Sequence, residues 1–259
     1  MKHPSSILIT GASGGIGAAL ARSYAAPGIA LALTGRNAER LRAVAQACAS
    51  TGAEVETALL DVTDEPGLAT WIEAIDRAHP LDLVFANAGI TGGPAPDGSG
   101  ESLAELRRMM RVNFDGACNT IHSVIPAMRR RRRGQIVLMS SLAALRGLPY
   151  FPAYCASKAA LKIYGEALGT WLRGEGIEVS VVLPGFVETS MARRLHGPKP
   201  FQVTAERAAR LIRRRLARGR RVVAFPFLPV LGARLLAAMP TFLADAVLAS
   251  VKMDVDRDP

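Results

Sequence analysis

Cysteine, histidine and aromatic residues are scarce in this chain of 259 residues. The only cysteines are Cys48, Cys118 and Cys155, which form no C-x-x-C pair and no even framework; this argues against a disulfide scaffold and for a reducing compartment. His3, His79, His122 and His196 are scattered, with no i, i+4 pair and no cluster of carboxylate or thiolate neighbours, so no metal site is expected. Aromatic residues make up 5% of the chain, and neither an RNA-binding aromatic motif nor zinc-finger spacing accompanies its formal charge of +10. Nucleic-acid binding is therefore not expected, and the arginine runs at 129–133 and 207–221 read as solvated surface. An uninterrupted apolar run of about twenty residues is also missing. The most apolar stretch is broken by Pro226, Pro229, Arg234, Pro240 and Asp245, which makes a spanning helix the weaker reading there. The opening MKHPSSILIT lacks the parts of a secretory signal, and a cytoplasmic location is the expectation.

What is present is ample apolar material, 49% against 21% charged, enough for one large α/β domain over 1–259 with an apolar C-terminal extension at 226–259. Apolar, β-branched runs at 7–10, 30–34, 55–59, 81–86, 135–139, 178–183 and 221–225 predict about seven strands. Alanine- and leucine-rich amphipathic segments, such as 38–50, 103–128 and 152–173, lie between them and are long enough for crossover helices. That alternation predicts a doubly wound parallel sheet with helices on both faces. The segment TGGPAPDGSG at 91–100 follows a predicted strand and reads as a mobile loop near the site. The C-terminal extension fits a helical cap over the pocket, a subunit contact or a peripheral membrane contact, and the residues alone do not choose among the three.

The first strand runs into TGASGGIG, residues 10–17, where side chains nearly vanish before a helix begins. Exposed backbone N–H groups at a helix start form a cradle for an anion such as a pyrophosphate. A P-loop is excluded because no lysine follows Gly17, and Ser13 breaks the G-x-G-x-x-G pattern. What remains is T-G-x-x-x-G-x-G, which taken alone also suits a tight strand-to-helix turn with no ligand.

Downstream motifs decide the matter. TGASGGIG at 10–17, DVT at 61–63, NAG at 87–89, Ser140 and Ser141 followed by YCASK at 154–158, and PGFVET at 184–189 occur in that order. Together they resemble the compact, Rossmann-like branch of the short-chain dehydrogenase/reductase family over about residues 6–191. The resemblance implies cofactor contacts at Gly11, Ser13, Gly15, Ile16, Gly17, Asp61, Val62, Asn87, Ala88, Gly89, Tyr154, Lys158, Pro184, Gly185, Val187 and Thr189. It also implies a homodimer or homotetramer built through the long helical segments 103–128 and 152–173.

The second strand ends in ALTGRN, with Gly35 where an NAD-binding unit carries an acidic residue and Arg36 directly after it. A guanidinium suits the 2′-phosphate, so NADP(H) is expected over NAD(H).

Tyr154 and Lys158 are four residues apart in a helical segment and share a face. An ammonium about 4 Å from the phenol, at an effective dielectric of about 20, would favour phenolate by about 4 kcal/mol, or about three pKa units. The resemblance adds Ser141, which hydrogen-bonds the reacting oxygen, and Asn113, which holds a kinked helix and a water linked to the lysine. The expected activity is hydride transfer between nicotinamide and a carbonyl or secondary alcohol, with Tyr154 as general acid/base. The alternative is a catalytically silent NADPH-binding regulatory or scaffold protein. Cys155 is expected to be a structural thiol, and Trp71 and Trp171 to pack.

Overall fold

The computed structural model describes residues 3–93, 101–249 and 254–255. The seven strands expected from the apolar runs all form and lie in one sheet, β1 (Ser6–Thr10), β2 (Ala30–Gly35), β3 (Glu54–Leu59), β4 (Leu83–Ala86), β5 (Gly134–Met139), β6 (Ile177–Pro184) and β10 (Val222–Phe225). Their order is β10-β6-β5-β4-β1-β2-β3. Every neighbouring pair is parallel, with Ile9 of β1 set between Leu33 of β2 and Phe85 of β4. Strands this apolar on both faces need cover on both, and two separate buried clusters supply it.

One face is covered by α1 (Gly15–Tyr24), α2 (Ala38–Ala49) and α8 (Ala205–Leu216), the other by α3 (Glu65–Ala78), α5 (Gly116–Arg131) and α6 (Pro152–Trp171), with α4 (Leu103–Met110) packed on α6. Small elements β7 (Val187–Glu188), α7 (Ser190–Arg193), β8 (Leu195–His196) and β9 (Val203–Thr204) stand over the carboxyl ends of the strands. The chain closes with α9 (Phe227–Ala238), α10 (Thr241–Leu248) and β11 (Asp254–Val255), whose backbone pairs antiparallel with β8.

The sequence pattern predicts one helix over 103–128, but a π-helical turn at Arg111–Asp115 divides it into α4 and α5. Asn113, fully buried in that turn, has its side chain held by backbone and side-chain partners outside the helix. Residues 94–100 of the expected loop lie outside the described residues. Trp171 does not pack inside; it is 68% exposed and lies under the Arg129 guanidinium.

The arginine run at 129–133 is largely engaged within the molecule. Arg129 pairs with Glu175, Arg131 with Asp76 and Arg133 with Asp82. Arg132 donates to the Gly174 carbonyl. These residues tie the end of α5 to α3, to the start of β4 and to the turn before β6.

Candidate active site

At the strand tips a cleft of about 1160 Å³ runs from the β1–α1 turn to α9. Its first end is built by glycine. Gly11 and Gly15 adopt left-handed φ values of +67° and +55°, which other residues reach only with strain. Gly17 does not line the cleft; a Cβ there would stand 2.4 Å from the Gly11 carbonyl oxygen, so its smallness serves packing of α1 under the turn. Gly14 lines the cleft, and a Cβ on it would meet no protein atom within 4 Å. Gly14 stands directly before the first turn of α1, where main-chain N–H groups can meet an anion.

Thr10 and Asn87 hold that turn to the next strand. The Thr10 hydroxyl accepts from the backbone N–H of Asn87 at 3.0 Å, and the Asn87 amide donates to the Thr10 carbonyl at 2.9 Å. Farther along, Arg36 and Asp61 face each other at 3.6 Å, and both line the cleft. Burial acts to raise the Asp61 pKa, but hydrogen bonds from Thr63 and the charge of Arg36 outweigh it and hold the carboxyl below its usual range. Arg40, one helical turn after Arg36, lines the same end. Its position at i+4 on the first turn of α2 was a usable signal in the sequence.

The other end of the cleft carries the polar side chains. Ser141 follows β5; its oxygen accepts from the Ala143 N–H at 3.1 Å, and its hydroxyl acts to lower the Tyr154 pKa. Tyr154 and Lys158 share the cleft-facing side of α6. The Lys158 ammonium is buried, donates to the Met139 carbonyl at 3.0 Å and stands 5.8 Å from the centre of the Tyr154 ring.

The electrostatics correct the expected acidic phenol. Burial raises the Tyr154 pKa more than the Ser141 hydrogen bond lowers it, and nearby Cys155 adds to the rise. The same burial pushes Lys158 down to about 8. Both shifts share their largest cause: a phenolate and an ammonium each lose hydration here.

Asn113 does not line the cleft. Its amide donates to the Ile90 carbonyl and to the Ser157 hydroxyl, each at 3.0 Å, and its oxygen accepts from the Ile90 N–H at 2.8 Å. Ser157 in turn donates to the Tyr154 carbonyl at 2.8 Å. Asn113 thus joins the segment after β4 to the helix that carries Tyr154, through a residue that sequence reasoning missed. Glu101 was missed as well: its carboxylate takes the N–H of Ala153 at the start of α6.

The remaining residues expected to bind a dinucleotide, Ser13, Ile16, Val62, Ala88, Gly89, Pro184, Gly185, Val187 and Thr189, all line the cleft. Thr189 also caps α7, where its oxygen accepts from the Ala192 N–H at 3.1 Å. Cys155 is buried and its thiol pKa is raised by that burial, as a structural thiol requires. Among the described residues no group of three or more His, Cys, Asp or Glu side chains is placed to hold a metal ion.

Comparison with known proteins agrees with this geometry. Residues 5–199 match the family described as short chain dehydrogenase. The chain belongs to that family.

An uncharacterized oxidoreductase of Myxococcus xanthus (strain DK1622) is 36% identical over 240 residues, covering 92% of this chain and 94% of the relative. Sulfoacetaldehyde reductase 2 of Chromohalobacter salexigens is 36% identical over 185 residues, 71% of this chain and 73% of that one. Among solved structures, a short-chain dehydrogenase from Streptomyces avermitilis superposes with a TM-score of 0.78 at 24% identity, covering 96% of this chain and 95% of its own. As a short-chain dehydrogenase this protein is a nicotinamide-dependent oxidoreductase acting on CH–OH or C=O groups.

Proposed function

We propose that the protein is an NADP(H)-dependent carbonyl reductase in which Tyr154 is the proton donor. The observation that carries this reading is that one cleft joins the side-chain-free start of α1, two arginines, and the Ser141–Tyr154–Lys158 group. In this reading Gly14 and its neighbours hold the diphosphate, Arg36 and Arg40 the 2′-phosphate, Asp61 and Val62 the adenine, and Asn87, Ala88 and Gly89 the adjoining ribose. Val187 and Thr189 hold the carboxamide; the Thr189 oxygen accepts from Ala192 and so keeps its own proton free to donate. The bound nicotinamide supplies the hydride.

The protein's own residues handle the proton. A phenol whose pKa is raised stays protonated at neutral pH, which is the form a general acid needs in the reducing direction. Ser141 orients the carbonyl oxygen beside that hydroxyl. Lys158, still mostly cationic at pH 7 with a pKa of about 8, holds the nicotinamide ribose and stabilises the phenolate left after transfer. Asn113 acts through Ile90 and Ser157 as a positioning residue.

The proposal extends to a single dinucleotide-binding domain over 1–259, a cytoplasmic setting suited to three free cysteines, and a homodimer or homotetramer. Exposed Leu103 and Leu106 on α4 and Ile163 on α6 support contacts through those helices. The test is an NADPH-consumption screen across carbonyl classes with Tyr154→Phe as control. Turnover in the wild type and a loss of about a hundredfold or more in the variant, with NADPH binding kept, is expected. Binding without turnover on any carbonyl would favour the silent, scaffold reading, and turnover preserved in the variant would overturn the role given to Tyr154.

A further inference from the structure

Half of the exposed large hydrophobic side chains among the described residues, seven of fourteen, fall between Phe227 and Val247 on α9 and α10. Phe227 is 75% exposed and Phe242 72%, with Leu231, Leu235, Leu243 and Val247 beside them in sequence. The inner side of α9 is apolar too: Pro229, Gly232, Ala233 and Leu236, at i, i+3, i+4 and i+7, line the substrate end of the cleft. A helix that caps a pocket of a water-bathed protein ordinarily turns a polar stripe outward. Within α9 the one charged side chain is Arg234, and α10 has one carboxylate, Asp245, which Arg146 neutralises at 3.1 Å.

We propose that α9 and α10 lie on an anionic lipid surface, with the cleft opening at the bilayer interface. Length excludes crossing: no described helix is long and apolar enough to span a bilayer, and α9, at 12 residues, reaches about 18 Å against a hydrocarbon thickness of about 30 Å. Charge selects the lipid. The chain carries +10, the one charged side chain of α9 is Arg234, and Arg193 lines the same cleft, so the charge that accompanies the apolar face is positive. A second copy carries the same net charge of +10, whereas an anionic surface complements it. Resting on the carbonyl-reductase reading, the inference narrows the substrate to apolar or amphiphilic carbonyl compounds that partition into membranes, entering past α9.

The test is sedimentation of the full chain with vesicles, read without substrate so that it stands apart from activity. Binding to equimolar phosphatidylglycerol and phosphatidylcholine vesicles, weakening several-fold in high salt and on pure phosphatidylcholine, is expected. The combined variant Phe227→Ser, Leu231→Ser, Phe242→Ser changes outward side chains only and should lower vesicle binding about tenfold or more with NADPH affinity unchanged. Should that variant not fold, Arg234→Glu, which should weaken binding several-fold at low salt, takes its place. A wild type that stays in the supernatant, or variants that bind vesicles equally well, would overturn the proposal. So would a protein that ignores vesicles but changes its oligomeric mass when the patch is altered, which would assign the face to a second copy. Failure of NADPH turnover with vesicle binding intact would leave the docking surface standing and remove only the narrowed substrate class.

Discussion

The carboxylate of Glu101 accepts a 2.7 Å hydrogen bond from the backbone N–H of Ala153, the residue before Tyr154. Its other oxygen is buried and has no hydrogen-bond partner among the described residues, and burial raises the carboxyl pKa. A buried negative charge at the start of α6 interacts with the helix dipole and fixes the first turn that carries the phenol. Glu101→Ala should lower kcat by about three- to tenfold with NADPH affinity unchanged, and Glu101→Gln, which keeps an acceptor oxygen, should recover most of it. Steady-state kinetics beside nucleotide titration separate this from a general loss of folding.

Two glycines of the first turn should respond in opposite ways. Gly17→Ala puts a methyl 2.4 Å from the Gly11 carbonyl oxygen and 2.6 Å from the Asn87 amide nitrogen, so it should cost about 1–3 kcal/mol in urea unfolding. Gly14→Ala meets no protein atom within 4 Å and should unfold like the wild type. Its NADPH affinity should nevertheless fall about tenfold or more, because the methyl enters the space assigned to the diphosphate. Unchanged affinity in Gly14→Ala would move the diphosphate elsewhere.

Arg36 and Arg40 converge on one end of the cleft, where Arg36 already faces Asp61 at 3.6 Å. Replacing either with Ala should weaken NADPH binding by about ten- to a hundredfold, the worth of a charged hydrogen bond, and leave NADH nearly unaffected. Fluorescence titration with both nucleotides reads the difference. Equal losses for the two would show that the arginines do not read the 2′-phosphate.

Lys158 gives a pH signature with a definite sign. Its pKa falls from 10.5 unfolded to about 8 folded, so the folded state binds fewer protons between those values and gains stability as pH rises through that window. Conversely, below about pH 8 the buried ammonium costs the fold about 3 kcal/mol. Lys158→Met should therefore be inactive yet more stable than the wild type at pH 7, by up to that amount, and the gap should close towards pH 10. Urea denaturation of both proteins across pH 7–10 checks it.

Much of this fold was legible because its strands are covered on both faces and read as unbroken apolar runs; β1, β2 and β5 begin or end within a residue of their expected bounds. Site residues in contiguous motifs were equally legible. What escaped were long-range pairings that no local pattern encodes. Asp76, Asp82 and Glu175 lie 55, 51 and 46 residues from the arginines they engage, so a run that is largely solvated surface, as its sequence suggests, also ties distant segments together. Glu101 reaches α6 from 52 residues away. The acidity of Tyr154 was misjudged for a related reason: charge spacing can be estimated along a helix, but the loss of water around both partners depends on everything packed over them.

The π-helical turn at Arg111–Asp115 also sets how α4 and α5 are phased. A π turn accommodates a residue more than the regular helical path, and each residue of an ordinary helix advances the direction by about 100°. Deleting a single residue in 111–115 would let α4 and α5 wind on as one regular helix with Met109 and Val124 each still on its buried face, so what the deletion removes is the turn itself and the placement of Asn113 within it. The slip in this helix therefore serves one buried amide, and exchanging Asn113 should cost as much as removing the turn that presents it.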